Sequence, residues 1–139
     1  MYVEIWHNAA CGTSRNTLAL IRHVGIEPCV LDYVTTPPSR SKLIDTIAAA
    51  GLTVREAIRM KGTPYAELCL DDSTLSDDAL IDAMLAHPIL INRPFVSSPM
   101  GVRLCRPSEV VLEIMPPTNR PFCKEDGEMV IDADGRRLR

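Results

Sequence analysis

Residues 2–23 have the sequence YVEIWHNAACGTSRNTLALIRH, in which two periodicities follow one another. Branched apolar residues alternate with other side chains over residues 2–7, which predicts a short strand. After Cys11, apolar residues recur at helical spacing up to Gly25, and glycine is a residue type that commonly ends helices. This stretch therefore predicts a strand, a turn that contains Cys11, and a helix.

The rest of the chain continues the succession of strands and helices. Residues 29–34, CVLDYV, have the composition of a strand, and apolar stripes over residues 43–48 and 80–85 predict two helices. Short strand-like pieces meet at a turn over residues 98–101, and residues 108–114 predict a further helix. The opening strand–helix–strand order indicates a βαβ unit, so the sequence predicts an α/β sheet with a helical middle.

Two helix starts are marked by capping patterns. Thr53 and Glu56 fit a capping box, in which each side chain bonds the other residue's amide, and the helix is predicted to run to Gly62. Ser76 stands before two aspartates, which suits a helix start because the helix dipole favours acids there. That second helix is predicted to end before Pro88.

Length and composition fit a single domain over residues 1–139. A chain of 139 residues with 46% hydrophobic content can bury a core, and its formal charge of −3 gives no reason to expect nucleic acid or a membrane surface as partner. Neither a bilayer-spanning apolar run nor a signal peptide is recognisable, which predicts a cytoplasmic protein. Residues from about 116 to 139 are polar and poorly periodic, so we expect a tail that wraps on the domain or trails from it.

The cysteine pattern favours free thiols. Five cysteines are an odd number without framework spacing, as expected in a reducing compartment, and no cysteine or histidine spacing indicates a metal site. Cys29 and Cys69 lie in apolar stretches, where we expect them to pack as small hydrophobic residues. The five are Cys11, Cys29, Cys69, Cys105 and Cys123.

Cys11 is the candidate nucleophile. The amides at a helix start lower the pKa of a cysteine and form an anion site, which Gly12 allows a ligand to approach closely. Arg15 adds a positive charge one turn further on. The alternative is an inert cysteine in a tight turn, as most cysteines are. The combination of strand, glycine turn, helix start and arginine favours a reactive thiolate.

Other candidates flank this loop or lie far along the chain. His7 tunes the thiol or orders the loop, or else it is an ordinary structural histidine. Ser14 either donates to the thiolate or caps the helix. Three arginines stand in unusual surroundings: Arg93 in the apolar run ILINRPFV, Arg106 before a helix start, and Arg59 near a helix end. Taken individually, such arginines are more often exposed or salt-bridged than ligand-binding.

Three long motifs make the chain similar to the glutaredoxin-coupled arsenate reductases of bacteria: HNAACGTSRNTL (7–18), HPILINRPFV (87–96) and GVRLCRPSEVVLEI (101–114). The resemblance covers nearly the whole chain. It implies a thioredoxin-like fold with a small mixed β-sheet and a helical insertion. It also implies that Cys11 is the nucleophile and that Arg59, Arg93 and Arg106 bind and stabilise the oxyanion. His7, Ser14 and Arg15 match family positions around the nucleophile.

The resemblance also implies a mechanism. Cys11 thiolate attacks arsenate, glutathione adds to the arsenic, and electrons from glutathione and glutaredoxin give arsenite, with no tightly bound cofactor and no metal. Ser14 stands where a Cys-x-x-Cys motif has its resolving thiol, so an external thiol is needed. The implied partners are arsenate, glutathione and glutaredoxin, and the implied role is arsenic detoxification.

Two other functions remain open at this point. A regulatory superfamily member that docks on RNA polymerase and senses thiol stress would keep Cys-x-x-Cys in the loop and lack the oxyanion arginines. A monothiol glutaredoxin-like carrier of glutathione or an iron–sulfur cluster would not require several arginines around the thiol. Ser14 counts against the regulator, and the arginines count against both.

Overall fold

A computed structural model of the chain describes residues 1–118, 120–132 and 136–137. The backbone forms two compact units, one made of Met1–Leu31 with Arg93–Arg139 and the other of Asp32–Asn92. The single domain over residues 1–139 stays a prediction.

The first unit is built on a four-stranded mixed sheet with the strand order β2-β1-β3-β4. β1 runs antiparallel to β3, with Ile5 opposite Val96, and β3 runs antiparallel to β4. Ile5 and Val96 are both fully buried, so the centre of the sheet carries the apolar residues that the strand patterns predict. The strands are β1 (Glu4–His7), β2 (Cys29–Asp32), β3 (Phe95–Ser98) and β4 (Gly101–Leu104).

Helix α1 (Gly12–His23) packs on this sheet through Leu20 and Ile21, neither of which is exposed. The helix ends as predicted, because Gly25 adopts φ 90°, a left-handed conformation that favours glycine. A 3₁₀ helix, Ser108–Ile114, lies against α1 and completes the core. The predicted helix over residues 108–114 is therefore present as the tighter 3₁₀ form.

The second unit is the helical insertion between β2 and β3. Its two α-helices are α2 (Arg40–Ala49) and α3 (Asp77–Ala86). Ser39 and Ser76 cap them: the Lys42 amide donates to Ser39 Oγ at 3.2 Å, and the Ala79 amide donates to Ser76 Oγ at 3.1 Å. No helix in the described part of the chain is both long and apolar enough to cross a membrane.

The predicted helix from Thr53 to Gly62 is wrong, although its capping box forms. The Thr53 amide donates to Glu56 Oε1 at 2.9 Å, and the Glu56 amide donates to Thr53 Oγ1 at 3.1 Å. Only one 3₁₀ turn follows, Arg55–Ala57, because Ile58 then becomes extended and forms a β-bridge with Ile91. A tertiary pairing thus overrides the local helix signal.

The expectation that Cys29 and Cys69 are packed in a core is also wrong, because both are exposed. All four residues of β2 are exposed, so an apolar sequence in this edge strand does not report burial. Cys69 has a φ of 55° and lies in a turn. Strand β2 also ends at Asp32 instead of residue 34, because the Asp32 carboxylate accepts bonds from the Val34 and Thr35 amides and starts a turn.

The tail expected from about residue 116 contains an ordered hairpin made of β5 (Phe122–Cys123) and β6 (Met129–Ile131). Val130 and Ile131 are fully buried in the same core as α1 and the central strands. Three consecutive apolar residues, Met129–Ile131, in a polar sequence give too short a pattern to reveal this burial. Residues 119, 133–135 and 138–139 of the expected tail lie outside the described residues.

Replacing Ile131 with alanine is expected to lower the free energy of unfolding by about 2–5 kcal/mol, because it leaves a cavity in a packed core. Urea unfolding with an unchanged m value measures this loss. Met129→Ala on the same strand is the matched control, since Met129 is 44% exposed and its truncation should change stability by no more than about 0.5 kcal/mol. Equal, small effects of both substitutions would mean that the hairpin does not unfold together with the core.

Candidate active site

Cys11 occupies the N-cap position of α1, as the sequence predicts. Its backbone is extended, with φ −98° and ψ 120°, and the Arg15 amide donates to its carbonyl at 3.0 Å in the first helical bond. The Cys11 amide donates back to the Asn8 carbonyl at 3.0 Å, which closes the loop between β1 and α1. The half-buried thiol therefore stands at the positive end of the helix dipole, and no acidic residue occupies the first turn.

The surroundings of Cys11 favour its thiolate. Partial burial of the sulfur opposes ionisation, and it is the largest single influence on the pKa. Hydrogen bonds from the Ser14 amide, the Arg106 side chain and the Thr13 amide, with the Arg106 charge, act the other way and together hold the pKa of Cys11 below its ordinary value. Arg106 Nη1 lies 3.8 Å from Cys11 Sγ.

Arg106 is fixed in this position by the backbone of Arg93. Arg106 Nη1 also donates to the Arg93 carbonyl at 2.9 Å, and the two residues flank the β3–β4 hairpin, since Arg93 precedes β3 and Arg106 follows β4. Each is followed by proline through a cis peptide bond. The Arg93 side chain is only 8% exposed. The structure thus brings the Arg106 guanidinium to the thiol, and it brings the Arg93 carbonyl to Arg106.

Arg59 belongs to the other unit, residues 32–92. Its amide donates to the Leu90 carbonyl at 2.7 Å, and its Nε donates to the Lys61 carbonyl at 3.3 Å. The Thr63 hydroxyl donates to the Arg59 carbonyl at 2.8 Å. Arg59 is held in a defined turn after the short 3₁₀ helix, and its role in binding an oxyanion stays a prediction.

His7 and Ser14 form a pair beneath the loop. His7 Nδ1 lies 2.6 Å from Ser14 Oγ, and the Asn8 amide donates to the same hydroxyl at 3.1 Å. Ser14 is completely buried. Its hydroxyl is therefore bonded to the end of β1, whereas the group of Ser14 that favours the Cys11 thiolate is its backbone amide. This arrangement is compatible with a loop-ordering role for His7. The prediction that Ser14 caps the helix is wrong, because Cys11 holds the N-cap position and Ser14 lies within α1.

Arg15 bonds a partner that the sequence did not suggest. Its Nη2 donates to Glu125 Oε1 at 2.7 Å and its Nε to Glu125 Oε2 at 3.2 Å, while its Nη1 donates to the Ala9 carbonyl at 2.8 Å. Glu125 lies in the turn of the C-terminal hairpin, 110 residues away along the chain. Because the tail had no recognisable periodicity, no sequence signal connected Glu125 with the Cys11 loop.

Cys105 differs sharply from Cys11. It is completely buried, and this burial, with the charge of Glu113, raises the pKa of the Cys105 thiol far above its ordinary value. A thiol of this kind is a poor nucleophile at neutral pH because the thiolate is the reactive form. Cys11 is therefore the cysteine whose environment suits chemistry, and a thiolate at a helix start beside a guanidinium suits attack on an oxyanion.

Comparison with known proteins identifies the family of the chain. The ArsC family model matches residues 6–114, a span that includes Cys11 and Arg106. The chain is 67% identical over 139 residues to the arsenate reductase of Rhizobium meliloti (strain 1021), covering 99% of each chain, and 55% identical over 138 residues to that of Escherichia coli (strain K12), covering 99% of this chain and 98% of the relative. A solved arsenate reductase from Vibrio cholerae superposes with a TM-score of 0.79 at 48% identity, covering 83% of this chain and 98% of that one.

These relatives confirm the resemblance drawn from the three motifs and the α/β fold with a small mixed sheet and a helical insertion. The chain belongs to the ArsC family and has its thioredoxin-like fold.

Proposed function

We propose that this chain is an arsenate reductase that uses Cys11 as its nucleophile, with glutathione and glutaredoxin as electron donors, in arsenic detoxification. The observation that carries the proposal is the Cys11 thiol at the start of α1 with Arg106 Nη1 3.8 Å from its sulfur. Its relatives from Rhizobium meliloti and Escherichia coli are named arsenate reductases, which supports the same substrate here.

In the first step, the Cys11 thiolate attacks arsenic(V). A sulfur–arsenic bond forms, an arsenic–oxygen bond breaks, and the oxygen leaves as water after protonation. Arsenate is a tetrahedral anion, so the free amides at the helix start and the Arg106 guanidinium suit it as hydrogen-bond donors. The family resemblance implies that Arg59 and Arg93 also bind the oxyanion, and guanidinium forks match tetrahedral oxyanions.

In the next steps, external thiols supply two electrons. Glutathione displaces a second oxygen as water and leaves arsenic bound to two sulfurs. A glutaredoxin thiolate then attacks the glutathione sulfur, a mixed disulfide leaves, and the electron pair of the broken sulfur–arsenic bond reduces arsenic(V) to arsenic(III). Water finally displaces Cys11 from arsenic, which releases arsenite and restores the thiol.

The requirement for an external thiol is supported by what surrounds Cys11. Ser14 takes the place of a resolving cysteine, and its hydroxyl is bonded to His7 and Asn8. The buried Cys105 has a raised pKa that disfavours its attacking form. A cytoplasmic location is part of the proposal, because thiol reductants keep cysteines reduced there.

The donor is tested by measuring arsenite formed by the purified protein in two reducing systems. We expect turnover with glutathione, glutaredoxin, glutathione reductase and NADPH, and background rates with thioredoxin, thioredoxin reductase and NADPH. Intact-mass analysis after partial oxidation with glutathione should show a single adduct that maps to Cys11. Turnover with thioredoxin alone, through an internal disulfide of Cys11, would contradict the external-thiol mechanism.

A further inference from the structure

The turn of the C-terminal hairpin reaches the loop that carries Cys11. Glu125 accepts two bonds from Arg15, and its own amide donates to Asn16 Oδ1 at 3.0 Å. The carboxylate lies so near the loop that a Cβ added at Gly12 would stand 3.3 Å from Glu125 Oε1. A residue from the far end of the chain thus contacts the first turn of α1 directly beside the candidate nucleophile.

A largely buried ion pair anchors the hairpin turn next to this contact. The neighbouring Lys124 pairs with Glu109 through Nζ and Oε2, 2.9 Å apart, and the two side chains are only 11% and 4% exposed. Glu109 lies in the 3₁₀ helix Ser108–Ile114, which packs in the core. Because Lys124 is anchored in this way, the adjacent Glu125 is held in place and can act on the loop.

Arg15 connects the hairpin turn to the loop that carries Cys11. Its guanidinium donates to Glu125 on one side and to the Ala9 carbonyl on the other, at 2.8 Å. Ala9 is exposed and stands in the segment closed by the bond from the Cys11 amide to the Asn8 carbonyl. Three of the five guanidinium N–H donors of Arg15 are therefore engaged within the protein, so Arg15 is arranged to hold the loop.

A carboxylate beside an anion-binding loop repels the anion, so we infer that Glu125 has another role that offsets this repulsion. We propose that Glu125 is a positioning residue of the Cys11 site, which holds Arg15 against the Ala9 carbonyl and thereby fixes the loop for attack on the oxyanion. The inference about catalysis rests on the proposed arsenate reductase activity, whereas the inference about loop order does not.

The test is a double-mutant cycle of Glu125→Gln and Arg15→Gln. Native-state hydrogen exchange followed by NMR should show the Cys11 and Ala10 amides exchanging about tenfold faster in each single variant than in the wild type. In the double variant these amides should exchange no faster than in either single variant. The matched control is Glu27→Gln, which breaks the exposed Arg22–Glu27 pair at the other end of α1 and should leave these amides unchanged. Unfolding midpoints should stay at the wild-type value in all variants.

Activity and thiol pKa together separate positioning from simple electrostatics. Arg15→Gln should raise the Cys11 pKa and Glu125→Gln should lower it, because the substitutions remove charges of opposite sign. Both should nevertheless lower kcat/KM for arsenate by about tenfold, since both release the loop. If thiolate charge alone mattered, Glu125→Gln would keep or gain activity, and the proposal would be overturned.

Two further results would overturn the proposal. Wild-type exchange of the Cys11 amide in Glu125→Gln would mean that the ion pair is only a surface contact. A lower unfolding midpoint with faster exchange at core amides would mean that Glu125 stabilises the fold as a whole. Absence of arsenate reduction by the wild type would instead contradict the proposed function, and the exchange cycle would still decide whether Glu125 orders the loop.

Discussion

Cys11→Ser is expected to abolish arsenate reduction, with a loss of at least about 1,000-fold in kcat, while the fold remains intact. A serine hydroxyl at this position stays protonated at neutral pH, so the amides and the guanidinium that favour the Cys11 thiolate have no comparable anion to stabilise. Arsenite formation in the glutathione and glutaredoxin system measures the loss, and urea unfolding checks the fold.

Serine substitutions of the exposed cysteines provide matched controls. Cys29→Ser, Cys69→Ser and Cys123→Ser change thiols that lie on the surface, and each variant should keep activity within about twofold of the wild type. Substantial turnover by Cys11→Ser would remove Cys11 from its role. A loss in one of the control variants would point to a second thiol in the reaction and would contradict the proposed use of external donors alone.

The parts of the fold that could be predicted from the sequence are those determined by neighbouring residues. Helix α1 follows its apolar spacing and ends before Gly25, and Ser76 caps α3 as its side chain predicts. The helix expected after Thr53 does not form, because a residue distant in the sequence determines the structure there. Ile58 forms a β-bridge with Ile91. Local signals specify a helix start, but tertiary pairing decides whether the helix continues.

The same distinction applies to the site. The position of Cys11 at the start of a helix follows from residues 2–23 alone, because strand, turn and helix are contiguous there. Arg106 lies 95 residues from Cys11 in sequence, and its selection among the arginines depended on the family resemblance. Glu125 was missed altogether, since its contact with Arg15 depends on a hairpin whose buried residues are too few to form a pattern.

Arg106→Gln is the second substitution with a large expected effect. It removes the guanidinium whose Nη1 lies 3.8 Å from the Cys11 sulfur and donates to the Arg93 carbonyl. We expect the Cys11 pKa to rise, because a hydrogen bond and a charge that favour the thiolate are both lost. We also expect kcat/KM for arsenate to fall by about 100-fold, because the same guanidinium is proposed to stabilise charge on the oxyanion.

The pH dependence of alkylation by iodoacetamide measures the first effect, since only the thiolate reacts. In the wild type the rate should rise through an inflection below the ordinary cysteine pKa, and in Arg106→Gln the inflection should move to higher pH. The variant therefore reacts more slowly between the two inflections, and the rates converge above both. Arsenate turnover measured at one pH would combine the change in thiolate fraction with a change in substrate binding. The pH profiles of alkylation and of arsenate turnover are therefore both needed.

Arg103→Gln is the matched control, because Arg103 lies on β4, close to Arg106 in sequence, but its exposed side chain pairs with Glu113. This variant should keep both the wild-type inflection and the wild-type kcat/KM. If Arg106→Gln loses activity but keeps the wild-type inflection, the Thr13 and Ser14 amides alone hold the thiolate, and Arg106 acts only on the substrate. If both arginine variants shift the inflection equally, the total positive charge near the site lowers the Cys11 pKa. The specific contact between Arg106 and Cys11 would then not be the cause.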